Sequence, residues 1–581
     1  MNTPSRTQQA TLPSFTRYWS LAALIFSIWA TFSHLGDFPL LSPDEGRNAE
    51  VAREMKVAGT WLVPTYDGAT YLDKPAFFFK SVALSLAALG DNEFAARLPS
   101  ALSGLGILLM VFAFCRRTYG ELTASLAMVV VASTPLFMAF SRIVIFDMML
   151  ALFVCAAIFA AYMAEEHEDK TRRNWYWMAT LTAGLATLVK GPVGFLVPLL
   201  VMSAFHLVSG RRGAIKRFFT PTHILLFLAV VLPWFVGLSL ACPDFPYYGI
   251  MKESIARFTT TEFRRTQPIY YYALIIAGCF FSWSVLLPES MRAAFRERAL
   301  LSRPDWLFVI WALVVVVFFS LSQSKLPGYI LTGVIALGIL VARVFAEAIE
   351  ARNASAQNII MRACLGLAIA GCLLAIPLLI LSLAPDAIPK PRWLSVEAMK
   401  HFGPLFPGIS ISLGVTAVLA LLAYGINSSR LALVAFLSIS ILLLTVNFEI
   451  IPRHAGIKSA RSLFEKLPAD IPANSEFACI GCMPHGLPFY LGQPVTVFTQ
   501  DGNELTSNYV LFSLKSGKAW PERLVPYAQM QNYLSSLTHP TYLMARNDRR
   551  AELEIIAQKQ ATRIDQLHSD FIGTLLPATG H

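Results

Sequence analysis

Charge is what this sequence most lacks. Of its 581 residues only 14% are Asp, Glu, Lys or Arg, against roughly a quarter in a soluble domain, which excludes an ordinary water-soluble globule. Hydrophobic residues, 55% of the chain, take their place. There is no Ser-rich linker, no low-complexity tract and no repeat of roughly 20 to 50 residues, so solenoids and propellers are excluded. Cysteine is sparse, and six of the eight lie in or beside apolar runs as small apolar side chains. Long apolar runs are missing after Arg453, where nothing approaches the roughly 20 residues that span a bilayer. No small-residue cleavage site follows the first apolar run, Leu21 to Leu35. The polar, basic start is therefore expected to lead into a retained first transmembrane helix.

What is present is a series of spanning-length apolar runs. They lie near 18–35, 96–114, 122–140, 145–164, 175–190, 192–208, 222–241, 269–288, 305–322, 327–345, 361–384, 405–425 and 430–450. The fold class expected is a polytopic α-helical membrane protein of about thirteen transmembrane helices. Residues 1–452 would form the membrane domain and 453–581 a soluble α/β domain. Alternate loops collect Lys and Arg, namely Arg116–Arg117, Lys170 to Arg173, Arg211 to Arg217, Arg292 to Arg303 and Arg343 to Arg362. The positive-inside rule puts these in the cytoplasm and the C-terminal domain outside. Residues 453–581 hold 12 Lys and Arg against 11 Asp and Glu, so nearly all of the +10 net charge belongs to the membrane part. A basic bias spread over membrane loops indicates topology and anionic ligands, not nucleic acid.

Several cations stand on the wrong side of that rule: Lys74, Arg142, Lys190, Arg257 and Lys325. Any one of them is explained by a Lys or Arg snorkelling to the headgroups or capping a helix. Several converging on one face favour an anionic substrate. The first outer loop, 36–95, is long for a membrane loop and carries surface helices. Ser42-Pro43 followed by Asp44 and Glu45 is a helix-start pattern, Gly59 and Pro64 end that helix, and a short amphipathic run covers 76–89. Asp44 and Glu45 suit the positive end of a helix dipole, but an acid pair at a membrane surface also suits proton transfer, a divalent ion or a cationic substrate group. Asp147 is a third such acid, at the end of a span, where ionisable groups tend to be functional.

The runs PDEGRNAEVAREM, YLDKP, IVIFDMML, LVKGP, KESIARF and SKLPGYIL follow one another in that order. Together they resemble the bacterial lipid A aminoarabinose transferases of the GT-C polyprenyl-phosphate glycosyltransferase superfamily, with the protein O-mannosyltransferases as more distant relatives. The resemblance covers roughly 18–345. It departs at Asp73, where the family pattern has Glu; a carboxylate one methylene shorter sits badly with a strict metal geometry.

The resemblance implies transfer of 4-amino-4-deoxy-L-arabinose from undecaprenyl phosphate to a lipid A phosphate at the periplasmic face of the inner membrane. Masking that phosphate with an amino sugar lowers affinity for polymyxin and other cationic peptides. The leaving group is already a stable anion and needs cations, for which Lys74 and Arg257 are the first choices, helped by Lys190, Lys325 and Arg142. Asp44, with Glu45 beside it, is expected to orient the acceptor, bind the sugar's ammonium or stabilise an oxocarbenium-like carbon, and Asp147 to share in sugar binding. Tyr71 and Tyr329 are candidate pocket residues. A divalent ion is left open, with Asp73 and Glu253 as its candidate ligands; no other cofactor is expected. Besides donor, acceptor and membrane lipids no partner is implied. Two rival readings are transfer to another acceptor such as a protein Ser or Thr, and transport of a lipid-linked solute without chemistry.

The C-terminal residues alternate short apolar strands, 476–480, 495–498, 509–513 and 541–545, with helices near 523–536 and 548–560. Cys479 and Cys482, followed by His485, are spaced for a local disulfide in an oxidising compartment, with a redox motif or half a metal site as the alternatives.

Overall fold

The structure, a computed structural model, describes residues 14–298, 301–351, 353–384, 399, 402–567 and 570–579. The polar start of the chain and Arg352 lie outside them. The apolar runs become helices, and all but Pro221–Ala241 contribute to one hydrophobic core, whose largest fully buried side chains include Trp283 and Trp311.

Among the described residues seven helices are long and apolar enough to cross a membrane. Two bent pairs raise the number to nine: Glu121–Ala132 with Pro135–Ser141, turned by 69°, and Tyr271–Cys279 with Trp283–Arg296, turned by 115°. Two of the thirteen expected runs, 122–140 and 269–288, are therefore bent. Run 122–140 breaks ahead of Pro135, which lacks an N–H and disfavours helix in the residue before it. Run 175–190 belongs to a helix whose first turns are charged, Asp169–Lys190. Val193–Val208 has 16 residues, about 24 Å of helix, against a hydrocarbon layer of about 30 Å. The first helix, Ser14–Phe32, has 19 residues, and run 430–450 lies within a helix of 30, Ser429–Lys458. The helix Ser429–Lys458 thus runs through position 453, past the expected end of the membrane domain.

The segment after the first helix supplies the scaffold of the site. The helix Asp44–Ala58 begins with its two acids at the positive end of its dipole and stops at Gly59. A hairpin follows, β1 (Thr65–Tyr66) and β2 (Ala69–Thr70), in antiparallel register. Its turn residues Asp67 and Gly68 both have positive φ, 53° and 72°, as a two-residue Asp-Gly turn requires. After Leu72 to Pro75 the chain enters the helix Phe77–Leu89.

The C-terminal part carries a six-stranded sheet of β3 (Glu476–Ile480), β4 (Val495–Thr499), β5 (Leu524–Pro526), β6 (Thr541–Arg546), β7 (Asp565–Gln566) and β8 (Phe571–Leu576). The order is β5-β4-β3-β6-β8-β7; the first four strands are parallel, β8 pairs antiparallel with β6, and β7 pairs antiparallel with β8. Phe477, Cys479, Val497 and Met544 face the first loop and pack with Tyr66, Tyr71 and Phe79. The alternate residues Ala478, Ile480, Leu543 and Ala545 face the sheet's own helices. Burial of both faces explains why the strands read as continuous apolar runs.

Two expectations change here. Residues 509–513 lie in a helix, Asn508–Lys515, capped by the Ser507 side chain on the Val510 amide; a short apolar run cannot distinguish strand from helix. Cys479 and Cys482 are free, buried thiols, not a disulfide, and Cys479 packs as an apolar residue on the first-loop face of β3.

Candidate active site

Lys74 and Arg257, far apart in sequence, meet on a single carboxylate oxygen. The Lys74 Nζ donates to Glu253 Oε2 at 2.6 Å, and the Arg257 Nη1 donates to the same oxygen. Glu253 is brought there by a run of π-helical turns, Tyr248–Ala256, a geometry that recurs at functional sites. Asp73 stands beside it, accepting from Tyr248 Oη at 2.7 Å and from the amides of Asn508 and Tyr509 at 3.0 and 2.7 Å. Those amides open the helix Asn508–Lys515, so the sheet part of the chain presents a helix N-terminus to a carboxylate of the first loop. Tyr248 Oη and Asn508 Nδ2 also reach Glu253 Oε1, each at 3.3 Å.

Burial sets the electrostatics of this group. It pushes the Lys74 ammonium down, with Arg257 adding to the shift and Glu253 opposing it. It pushes Asp73 up, with Glu253 adding to the shift. Burial works against the Glu253 carboxylate as well, but Lys74 and Arg257 outweigh it and hold the group below its ordinary value. Arg257 is raised in spite of its burial, chiefly by Glu253 and then by Tyr329.

A third cation adjoins that pair. Lys190 Nζ donates to Asp147 Oδ1 at 2.6 Å and lies over two rings, Tyr329 at 4.6 Å and Phe146 at 4.9 Å. Lys74 lies over the same Phe146 ring at 5.8 Å, so Phe146 joins the two cation sites. Toward the sheet, Asp44 pairs with Arg47 Nη2 at 2.5 Å. The Arg47 Nη1 donates to Thr506 Oγ1 at 2.8 Å and the guanidinium sits 5.8 Å over Tyr71. Tyr71 is buried, and burial raises its phenol while Arg47 opposes and Asp73 and Asp44 add. The Asp44 side chain is 56% exposed, open to an incoming group.

The joint between first loop and sheet is close. A Cβ on Gly46 would meet the His485 carbonyl oxygen at 2.6 Å and Gly486 backbone atoms at 2.7 Å. Tyr66 Oη and His485 Nδ1 are 2.8 Å apart, and Asp67 Oδ1 accepts the Val495 amide at 2.7 Å.

Three of the residues expected in the site are placed elsewhere. Both Glu45 oxygens are consumed by four bonds, from Arg97 Nε at 2.9 Å, Arg97 Nη2 at 2.8 Å, the Val144 amide at 2.9 Å and the Leu41 amide at 2.8 Å. Arg97 is fully buried and also donates to the carbonyls of Leu35, Phe38 and Pro39. Glu45 thus ties the first loop to the membrane helices. Arg142 donates to the carbonyls of Ala30 and Ser33 at the end of the first helix. Lys325 turns back onto the Ser322 carbonyl at 2.6 Å.

Among the described residues no three His, Cys, Asp or Glu side chains gather as a metal site. Asp73 and Glu253, the candidate ligands, accept from Lys74, Arg257, Tyr248 and two amides. That donor set is matched to carboxylates held by cations and N–H groups, and it does not fit a divalent ion.

Sequence reasoning missed Arg47, Tyr248, Phe146 and the Asn508–Tyr509 amides. Arg47 and Phe146 lay inside motifs already singled out. Tyr248 and the two amides carried no local signal, because only the fold brings them to Asp73.

Residues 73–236 match the family described as dolichyl-phosphate-mannose-protein mannosyltransferase. An undecaprenyl phosphate-alpha-4-amino-4-deoxy-L-arabinose arabinosyl transferase of Serratia proteamaculans is 29% identical over 374 residues, 63% of this chain and 66% of that protein. The corresponding protein of Shewanella sediminis is 31% identical over 331 residues, 56% of this chain and 60% of its own length. The aligned part thus spans less than two thirds of these relatives. Crystal structures of ArnT from Cupriavidus metallidurans, bound to undecaprenyl phosphate and in the apo state, superpose with TM-scores of 0.78 and 0.76 at 24% and 25% identity. Each superposition covers 97% of this chain and 98% of the other. In sequence the chain is similar to the undecaprenyl phosphate-aminoarabinose arabinosyltransferases, and over nearly its whole length it has the fold of ArnT.

Proposed function

We propose that this chain transfers 4-amino-4-deoxy-L-arabinose from undecaprenyl phosphate to a phosphate of lipid A, at the periplasmic face of a bacterial inner membrane. The observation that carries the reading is the convergence of Lys74 and Arg257 on one anionic oxygen, in a fold whose solved relative holds undecaprenyl phosphate. Two cations on one oxygen are what a departing phosphate needs, since their hydrogen bonds are charge-assisted and the guanidinium adds a fixed geometry. Lys190, held by Asp147 and covered by Tyr329, extends the grip toward the sugar.

The reaction balances without a proton donor. The bond between the anomeric carbon and the donor phosphate oxygen breaks, and its electron pair stays on that oxygen. A bond forms between the anomeric carbon and an oxygen of the acceptor phosphate. The donor phosphodiester goes from one negative charge to two, and the acceptor monoester from two to one. A phosphate monoester has its second pKa near ~6, so the acceptor attacks as a dianion and no strong base is required. Asp44, exposed beside Arg47 and Tyr71, orients the acceptor or holds the sugar's ammonium. The basic loops on the far side of the helices support a periplasmic placement of this site.

The match of 73–236 to the mannosyltransferase family supports a second reading, in which the acceptor is a protein hydroxyl. Lipid A mass spectrometry decides between them, in a strain that makes the donor but lacks its own transferase. A mass increase equal to one aminoarabinose, lost in Lys74→Ala, is the expected result. An unchanged lipid A with the protein inserted in the membrane would reject lipid A as acceptor and leave the protein-hydroxyl reading.

A further inference from the structure

The two carboxylates beside Lys74 are held in unequal ways. Asp73 is anchored on both oxygens by short bonds from Tyr248 and the Asn508 and Tyr509 amides. Glu253 gives one oxygen to Lys74 and Arg257, and its other oxygen has only the 3.3 Å contacts from Tyr248 and Asn508 among its hydrogen bonds. Its backbone is a π-helical run, whereas Asp73 is clamped against a helix N-terminus. Glu253 is therefore the exchangeable anion of the pair and Asp73 the fixed one.

The transfer proposed above creates a difficulty that such an anion relieves, and the inference rests on that reading. The lipid phosphate gains a negative charge as the sugar leaves. Cations that hold the monoanionic donor then hold the dianionic product more tightly, and turnover stalls on release. An anion tethered at the cations lowers affinity for both lipids by competition, and its carboxylate, still close by when displaced, repels the dianion more than the monoanion. We propose that Glu253 is a built-in competitor of the lipid phosphate, which re-pairs with Lys74 and Arg257 as undecaprenyl phosphate departs and so sets the rate of product release. Glu253 acts through the two cations and is a positioning residue, with no bond to the reacting atoms.

The test is binding of undecaprenyl phosphate by the full chain in detergent, comparing wild type, Glu253→Gln and Glu253→Asp. Competition predicts that Glu253→Gln binds this lipid about tenfold more tightly, with a smaller gain for the sugar-charged donor. In pre-steady-state assays the first turnover should be followed by a slower steady state than in wild type. Glu253→Asp, whose carboxylate is one methylene shorter, should show a smaller gain of the same sign, and it carries the test if Glu253→Gln does not fold. A purely structural role predicts weaker binding in both variants. Folded variants that bind undecaprenyl phosphate no more tightly than wild type would overturn the inference. A wild type that does not bind the lipid at all would remove the transfer reading, and this inference with it.

Discussion

Glu45→Gln separates an acid that builds the site from one that works in it. In the structure each Glu45 oxygen accepts one Arg97 N–H and one backbone N–H, from Val144 or Leu41. A Gln amide has one oxygen and one NH2. Whichever way it is turned, its NH2 faces two donors, so two bonds are lost and Arg97 keeps a buried charge without its counter-ion. Two charge-assisted bonds at about 1.5 to 3 kcal/mol each agree with the roughly 3 to 5 kcal/mol cost of removing one partner of a buried pair. The expected result is a much lower thermal midpoint in detergent, with less protein inserted. Lipid A transfer per folded molecule, assayed at low temperature, should fall less than tenfold. The companion Lys74→Ala should lose transfer by roughly a hundredfold, the scale of removing one charge-stabilising donor, with a smaller loss of stability than Glu45→Gln, because Arg257 still pairs with Glu253. A Glu45→Gln protein that melts like wild type yet transfers no sugar would refute this reasoning and return the carboxylate to the substrate.

Asp44→Asn should behave in the opposite way. Its side chain is largely exposed and its ion pair with Arg47 is worth at most about 1 kcal/mol, so melting should change little while lipid A modification falls at least about tenfold, the scale of losing one charged contact to the substrate at about 1.5 kcal/mol. Gly46→Ala forces a Cβ into the backbone at His485 and Gly486, which no side-chain rotation relieves. It should cost about 1 to 3 kcal/mol, read as earlier proteolysis of the sheet part. Burial pushes the His485 imidazole down to about 3, so between about 6.5 and 3 the unfolded chain binds a proton that the folded chain does not. Stability should therefore be full above about 6.5 and fall with pH through that window, by at most about 1.4 kcal/mol per unit. His485→Gln should flatten that part of the melting-versus-pH curve, and an unflattened curve would assign the slope to other groups.

The sequence alone determined much of this protein, because its strongest signals are local. Apolar runs announce membrane helices wherever they lie, since the cost of burying a charge in lipid acts on each segment separately. The same holds for the helix start at Pro43-Asp44-Glu45, the strands 476–480 and 541–545, and the cation at each motif that resembled a known family. Tertiary structure decided what those charges do. Glu45 and Asp44 are neighbours in one helix turn, yet one faces the fully buried Arg97 and the other stands open beside Arg47, a difference set by which side of the turn meets the membrane helices. Arg142 and Lys325 satisfy their charge on nearby carbonyls and do not join Lys74 and Arg257. The helix Asn508–Lys515 had the composition of a strand, and its end position on Asp73 comes from how the sheet packs on the first loop. Glu253, offered by the sequence as a metal ligand, is instead the shared acceptor of two cations from distant loops. A side chain's type is fixed by its codon, but its partner is fixed by long-range packing, and the chemistry of this site lies in the partners.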